Sequence, residues 1–547
     1  MIDLYIYYKV FILDIPINLN MLYDLIAIYV SHEIAKRKKE RMGMMKAGGQ
    51  DLQNNCKYRR TPLMGWASWN CFRTNISEDK IKQQADALVS TGLAESGYTY
   101  LNMDDGFFGG RAENGQLLFH KERFPNGIKV IADYAHKRGL KAGIYSEAGD
   151  NTCGHYYDHE GYNGQNVGLY MHEEQDLSLY FEACGFDFIK VDWCGALRLG
   201  LDEKTQYTKI GNIIDNLRRK LNKPLVYNVC RWQFPGEWVT EIADSWRTGA
   251  DITPDFDSVM HQLDVIKPLY RYCTPGHVND LDMMQIGNGL SREEEITHFV
   301  MWCMMSTPLM LGCDLTILKE ETLELLKNNE LIAVNQDRAC LQAFVVDCCK
   351  DKEGKIISEV WVKDLGEKDS CTKAIALLNR SEEEITIKVG LENVGIAGEI
   401  LRVRDLLTHE DIFVETFVKS GEIKGRVMPH GVKIYRIESE KVIVIKNPDD
   451  LGKWKCKRYS VINQEQLTEL RKQGAILVDV RTPEEFNVKH MCGAINIPYT
   501  IIHAVAKALI PDKKVPVILY CTTGKRSRQA KESLECLGYE HVYVSLF

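Results

Sequence analysis

The sequence predicts a multidomain protein: a (β/α)8 TIM barrel, an antiparallel β-sandwich and a small α/β domain, in that order. Three observations predict it. At 547 residues the chain is too long for one compact core. From Pro62 to about Asp314, short apolar runs alternate with charged segments of helical period, the pattern of parallel strands and crossover helices. After Cys340 the pattern changes to short alternating runs with turns, and near Tyr459 it returns to strand, loop and helix. The expected domains are an N-terminal extension over 1–58, a barrel over 59–338, a β domain over 339–440, a linker over 441–458 and an α/β domain over 459–547.

Eight barrel strands are expected: Leu63–Trp69, Tyr98–Asp104, Lys141–Ser146, Phe186–Asp192, Leu225–Cys230, Ser245–Asp251, His277–Asp282 and Pro308–Cys313. Eight such units over roughly 250 residues are the size of a barrel. An open doubly wound sheet would usually carry a Gly-rich dinucleotide turn after its first strand, and "MGWASWNCF" is not one. The carboxyl ends of these strands carry Trp69, Asp104 with Asp105, Tyr145, Lys190 with Asp192, Cys230 with Arg231, Arg247 with Asp251, and Asp282. Barrel enzymes place their chemistry at that face.

The net charge of -8 argues against a nucleic-acid partner, which needs a concentrated excess of Lys and Arg, and points to a neutral or weakly polar substrate. The apolar stretch from Tyr5 to Val30 is interrupted by Lys9, Asp14, Asn18, Asn20 and Asp24 and broken by Pro16. It has no basic n-region or small-residue cleavage site, so neither a signal peptide nor a membrane partner is expected. An extended start, with Met21, Met42, Met44 or Met45 as initiators, accounts for it. Seventeen cysteines, odd in number and without scaffold spacing, favour a reducing compartment, and the cytoplasm is the expected location. The acids stand apart from any His or Cys cluster at metal spacing, so no metal or cofactor is expected. A homo-oligomer is left open.

Asp192 and Asp251 end the fourth and sixth strands, so a closed barrel lets them face one another. Paired carboxylates suit glycoside cleavage: one attacks the anomeric carbon, the other protonates the leaving oxygen, and a separation of about 5 Å gives retention. Lys190 shares the face of Asp192 in a period-2 strand, where its ammonium favours the ionised nucleophile. Adjacent carboxylates at 104 and 105 can accept two neighbouring hydroxyls, and an aromatic plane covers the C–H face of a pyranose.

The segments "RTPLMGWASWNCF", "YLNMDDGFF", "LKAGIYSEAGDNTC", "FIKVDWC", "WRTGADI" and "VNDLDMMQIGNG", in that order, resemble glycoside hydrolase family 27, the α-galactosidase and α-N-acetylgalactosaminidase family, over about residues 60–437. The resemblance implies a retaining enzyme acting on an α-galactoside oligosaccharide or glycoconjugate. It implies Asp192 as nucleophile and Asp251 as acid/base. It also implies Asp104, Asp105 and Lys190 on the sugar hydroxyls, Trp69, Tyr145 and Met283 on its apolar face, and Arg247 and Asp282 as further pocket residues. Cys153 and Cys194 match a pair bridged in secreted members; in a cytoplasmic chain two thiols or a labile bridge are expected.

One departure concerns specificity. Family members that prefer galactose commonly read Cys-Glu-Trp after the fifth strand, where this chain reads "NVCRWQFPGEW", with Arg231 after Cys230. That glutamate helps to read the sugar's 2-substituent, so α-N-acetylgalactosaminidase and β-L-arabinopyranosidase are alternatives. Arg231 either faces an acidic or bulkier aglycone or turns away to pair with Glu237 or Glu241. A reading from another class, a non-catalytic carbohydrate-binding protein with a regulatory tail, has no need of both Asp192 and Asp251.

In the tail, "ILVDVRTPEEF", "HMCGAINIP" and "VILYCTTGKRS" resemble a single-domain rhodanese. The resemblance implies sulfur transfer with Cys521 as carrier, and with it a sulfur donor and acceptor as partners. The loop is Thr522, Thr523, Gly524, Lys525, Arg526 and Ser527. Its backbone N–H groups and the two basic residues would depress the thiol pKa and hold an anionic persulfide. Arg526 is five residues after the cysteine, where a cysteine phosphatase places its arginine six after. Asp479 and Arg481, at an early strand's end, are expected to be structural.

Overall fold

In a computed structural model, the described residues are 61–158, 160–414, 421–443, 462, 464–522 and 525–546. The expected N-terminal extension lies outside them, as does residue stretch 444–461, which holds most of the expected linker.

The first unit is a curled, all-parallel sheet of eight strands: β1 Met64–Ala67, β2 Tyr100–Asn102, β3 Lys141–Glu147, β4 Phe188–Asp192, β5 Val226–Val229, β6 Ser245–Arg247, β7 Val278–Asp280 and β8 Leu309–Leu311. The spatial order is β8-β1-β2-β3-β4-β5-β6-β7. Between the two ends of that order the described contact is a single parallel bridge, Met284 to Leu311. Every expected strand is present, and most are shorter than their apolar runs. The carboxyl-end residues Asp104, Asp251 and Asp282 therefore stand in loops beyond the sheet.

Strand β4 shows how sequence places side chains. With period 2, Phe188, Lys190 and Asp192 point to the lumen, while Ile189 and Val191 point to the helices. Accordingly Phe188 joins Leu63, Tyr100, Val226 and Met310 in an inner cluster, and Ile189 and Val191 join the large outer core. The lumen thus grades from apolar at the bottom to charged at the carboxyl rim.

The outer helices have conventional punctuation. Asp202 caps the helix Glu203–Leu221 by accepting from the Thr205 N–H, and Asn222 ends it in the left-handed region at φ 47°. A Ser291–Glu294 capping box opens the helix Arg292–Met305, whose residues from Thr297 onward are buried. Among the described residues, no helix is long and apolar enough to cross a membrane.

The second unit is antiparallel: β9 Phe344–Lys350, β10 Ile356–Asp364, β11 Thr372–Asn379, β12 Ile385–Gly390, β13 Ile396–Asp405, β14 Glu410–Ile412, β15 Glu422–Val427 and β16 Val432–Val442. A six-stranded sheet, β9-β10-β11-β16-β13-β14, packs with the pair β12-β15 around Val362, Ile375, Leu377, Ile387 and Ile423. It is fastened to the barrel by a shared apolar core that takes in Trp361, Ala374, Ala376 and Ile434, and by side-chain contacts across the boundary. The buried Lys363 Nζ donates to Ser306 Oγ (2.7 Å) and to the carbonyls of Val334 (2.6 Å) and Cys303 (3.1 Å), and the His430 ring stacks on Phe256 at 3.9 Å.

The third unit is a parallel four-stranded sheet, ordered β18-β17-β19-β20, from β17 Ile476–Asp479, β18 Ile495–Asn496, β19 Val517–Cys521 and β20 Val542–Leu546. Its central strand β19, apolar throughout, suits a sheet covered on both faces, and the helices Ile502–Leu509 and Lys525–Cys536 flank it in sequence.

Candidate active site

Asp192 closes β4 and is only 4% exposed. Its Oδ2 lies 3.2 Å from Cys153 Sγ, and its Oδ1 has no hydrogen-bond partner. Burial pushes its pKa up to about 6, against the nearby ammonium of Lys190, which pulls it down. Lys190 is bound elsewhere: its Nζ donates to Asp104 Oδ2 at 2.9 Å and lies 5.4 Å from the centre of the Tyr145 ring. Burial opposes its charge, but the carboxylate of Asp104 holds it well above the usual lysine range.

The two adjacent acids divide. Asp104 faces the barrel cavity with Lys190, Arg247, Asp282 and Met283. Asp105 is fully buried, and accepts N–H bonds from Gly106 (2.8 Å) and Gly154 (2.7 Å). Burial pushes it up to about 7, and its observed bonds tie the loop after β2 to the loop after β3.

Asp251 lies four residues past the end of β6, and its side chain is 60% exposed. One guanidinium organises this side of the site. Arg247 Nη2 reaches Asp251 Oδ1 (3.0 Å), Asp282 Oδ2 (2.8 Å) and the Gly249 carbonyl (3.2 Å), while Nη1 is 3.8 Å from Cys230 Sγ. Asp282 adopts φ 83°, a region unfavourable for a side chain. The Met283 N–H (2.7 Å) and the Ile252 N–H (3.0 Å) hold its carboxylate there, and burial raises its pKa. Trp69 is half-buried at the rim, with the Arg73 guanidinium 4.3 Å from its ring centre.

One expectation is corrected and one choice is made. Arg231 pairs with neither Glu237 nor Glu241: its Nε donates to Glu203 Oε2 at 2.8 Å, because the helix that opens at Glu203 packs beside β5. Glu237 instead accepts from Tyr272 Oη at 2.7 Å. Of the two states expected for Cys153 and Cys194, the bridge is the one present, with Cα atoms 5.4 Å apart. Each opens a short helix, Cys153–Tyr157 and Cys194–Leu199, in the loops after adjacent strands β3 and β4, which brings the sulfurs together.

Sequence reasoning missed Glu147. It is fully buried, stands in register with Asp192 across the β3–β4 ladder, and is pushed up to about 8 by burial and then by the charge of Asp192. Its oxygens accept N–H bonds from Gly149 (3.0 Å), Cys194 (2.8 Å) and Ala196 (3.2 Å). The period-2 pattern in "YSEAG" placed it on the face of Tyr145, and that was the available signal.

In the tail, Cys521 is the last residue of β19 and fully buried. Arg526 spends both Nη atoms on Glu485 (2.6 and 2.8 Å) and also hydrogen-bonds the Cys521 sulfur. The ion pair holds Glu485 down at about 2. Ser527 is buried with its Oγ unpartnered, and Thr522 is half-buried. Thr523 and Gly524 lie outside the described residues, and Lys525 opens the following helix. Asp479 grips Arg481 through both carboxylate oxygens, at 2.7 to 3.1 Å, inside the domain.

The curled parallel sheet and its rim of carboxylates define a barrel enzyme of the glycoside hydrolase class. Residues 61–337 match the alpha galactosidase A family, residues 357–437 an alpha galactosidase C-terminal beta sandwich domain, and residues 463–545 a rhodanese-like domain. The chain belongs to the alpha galactosidase A family and carries a rhodanese-like domain after the sandwich. An alpha-galactosidase of Oryza sativa subsp. japonica is 36% identical over 381 residues, 69% of this chain and 84% of its own. A probable alpha-galactosidase of Dictyostelium discoideum is 36% identical over 375 residues, 68% of this chain and 91% of its own. Among solved structures, alpha-galactosidase I from Mortierella vinacea superposes with a TM-score of 0.62 at 27% identity, over 71% of this chain and 99% of its own.

Proposed function

We propose that the barrel is a retaining α-galactosidase in which Asp192 attacks the anomeric carbon and Asp251 protonates the leaving oxygen, then activates water. The observation that carries this reading is the contrast between the carboxylates. Asp192 is buried with one oxygen free, as a nucleophile needs, and Asp251 is exposed on Arg247, where a leaving group and water pass. Asp104 and Lys190 supply an acceptor and a donor for hydroxyls, and Trp69 and Tyr145 flank them as aromatic planes. The names of the relatives support galactose as the sugar.

Wild type is expected to hydrolyse p-nitrophenyl α-galactoside, releasing α-galactose first by NMR, and Asp192→Ala is expected to be inactive. Equal rates in the two proteins overturn the assignment, and β-galactose as first product overturns retention. A panel with N-acetylgalactosamine and β-L-arabinopyranose substrates decides how Arg231 affects sugar choice. We also propose a cytoplasmic enzyme acting on imported galactosides; activity found mainly in the culture medium of cells expressing the native gene overturns that location.

A second reading concerns the tail. Cys521 at a strand end, hydrogen-bonded by Arg526, supports sulfur transfer by way of a persulfide. Cyanide-dependent thiocyanate formation that is lost in Cys521→Ser tests it, and its absence from wild type makes the tail a binding module.

A further inference from the structure

The disulfide beside the nucleophile is part of a larger cluster. Among the described residues, one group of metal-ligating side chains has its donor atoms within 4.8 Å of one another: Glu147, Cys153 and Cys194, all buried. Asp192 adjoins it, 3.2 Å from Cys153 Sγ through Oδ2, and keeps an unpartnered, buried Oδ1. Glu147 and Asp192 are register partners, so both carboxylates approach the sulfurs from adjacent strands. Sequence spacing hides the cluster, because the two cysteines are 41 residues apart.

We propose that, when the Cys153–Cys194 bridge is reduced, the two thiolates and Glu147 bind one soft divalent cation such as Zn2+, with Asp192 as fourth ligand, and that the ion inhibits the glycosidase by occupying its nucleophile. The inhibitory half rests on the α-galactosidase reading above; the binding half does not. A tetrahedral site with Zn–S near 2.3 Å and Zn–O near 2.0 Å needs donors roughly 3.3–3.8 Å apart. The donors of Glu147, Cys153 and Cys194 all lie within 4.8 Å of one another, and cleavage of the S–S bond lets the sulfurs separate toward the tetrahedral span. Two thiolates and two carboxylates select zinc or a softer ion over magnesium or calcium. The backbone N–H groups of Gly149, Cys194 and Ala196 orient the Glu147 carboxylate as outer ligands orient a metal's first ring of donors.

The steps balance. A dithiol reductant gives two electrons and two protons to the bridge, closing to its own disulfide and leaving two thiols. Zinc then displaces the thiol protons to solvent as the two Zn–S bonds form. Reoxidation by a disulfide of the same class releases the ion and restores the bridge. The site therefore ties glycosidase output to thiol redox state and to zinc.

The test uses the full chain in two forms, disulfide-bonded and phosphine-reduced, each dialysed against buffered Zn2+. The reduced chain is expected to retain one more zinc per chain than the oxidised chain. Glu147→Gln is expected to weaken that extra binding at least tenfold, and Cys194→Ser to abolish it. Hydrolysis of p-nitrophenyl α-galactoside by the reduced chain is expected to fall at least tenfold with one equivalent of zinc and to recover with chelator. Equal zinc stoichiometry in the two forms overturns the site. Extra zinc without loss of hydrolysis overturns the inhibitory role. Should neither form hydrolyse the galactoside, the α-galactosidase reading fails, while the stoichiometry still decides the site.

Discussion

The barrel and the tail each put a proposed nucleophile at the carboxyl end of a buried parallel strand, Asp192 on β4 and Cys521 on β19, and then surround it in opposite ways. Around Asp192 the balance of charge is incomplete. Lys190 is bound to Asp104, Arg247 is shared between Asp251 and Asp282, and Oδ1 of Asp192 has no hydrogen-bond partner. Near Cys521, Arg526 is already paired with Glu485, and Asp479 and Arg481 form a second closed pair. A strand end therefore supplies a position, and the pairing of the neighbouring charges decides how much of their field reaches the reacting atom. In the barrel that field is left for substrate; in the tail much of it is spent on the fold.

The largest effect expected from breaking this comparison is at the nucleophile itself. Asp192→Ala should lower kcat for p-nitrophenyl α-galactoside by on the order of 10⁴-fold or more, measured by steady-state release of nitrophenol.

The closed pair in the tail should respond through stability. Asp479→Ala leaves the buried Arg481 guanidinium without its carboxylate, a loss of about 3–5 kcal/mol, read as an early unfolding step in chemical denaturation. A tail unfolding at unchanged denaturant would mean that the pair is not what holds the loop.

A smaller effect is expected in the pH profile. As the proposed nucleophile, Asp192 must be ionised, and burial raises its pKa to about 6, so kcat/KM should fall as pH drops through about 6. Lys190 lowers that pKa, so Lys190→Met should move the acid limb to higher pH in addition to weakening binding. A limb that stays in place would mean that Asp104 absorbs the whole of the ammonium's influence.

The smallest expected effect concerns Arg231. If its guanidinium reads the sugar, Arg231→Ala should change the ratio of kcat/KM for galactoside over N-acetylgalactosaminide by about tenfold. A guanidinium that only braces Glu203 would leave the ratio unchanged and lower the melting temperature instead.

How much of this was legible follows from what each residue depends on. Lys190 and Asp192 were readable because a period-2 strand fixes which residues share a face, and because an apolar run ending in a charge has few explanations in a barrel wall. Asp251 and Asp282 were readable as types but not as positions: the sheet ends before them, and their places depend on loops held by Arg247 and by backbone N–H groups. Glu147 was passed over because one more acid in a loop-like stretch looks ordinary until its register partner is known. For Arg231, sequence offers an acidic aglycone or the near neighbours Glu237 and Glu241, whereas its partner Glu203 lies earlier in the chain.

The sequence by itself determined the order of the three domains, the barrel's parallel strands and the residue types at its rim, because local periodicity and strand-end chemistry need no distant contacts. Only the tertiary structure decided which charges pair, that Cys153 and Cys194 meet against Asp192, and that Asp105 ties loops while Asp104 faces the cavity. Those outcomes depend on distances between segments tens to hundreds of residues apart, and such distances exist only once the barrel has curled.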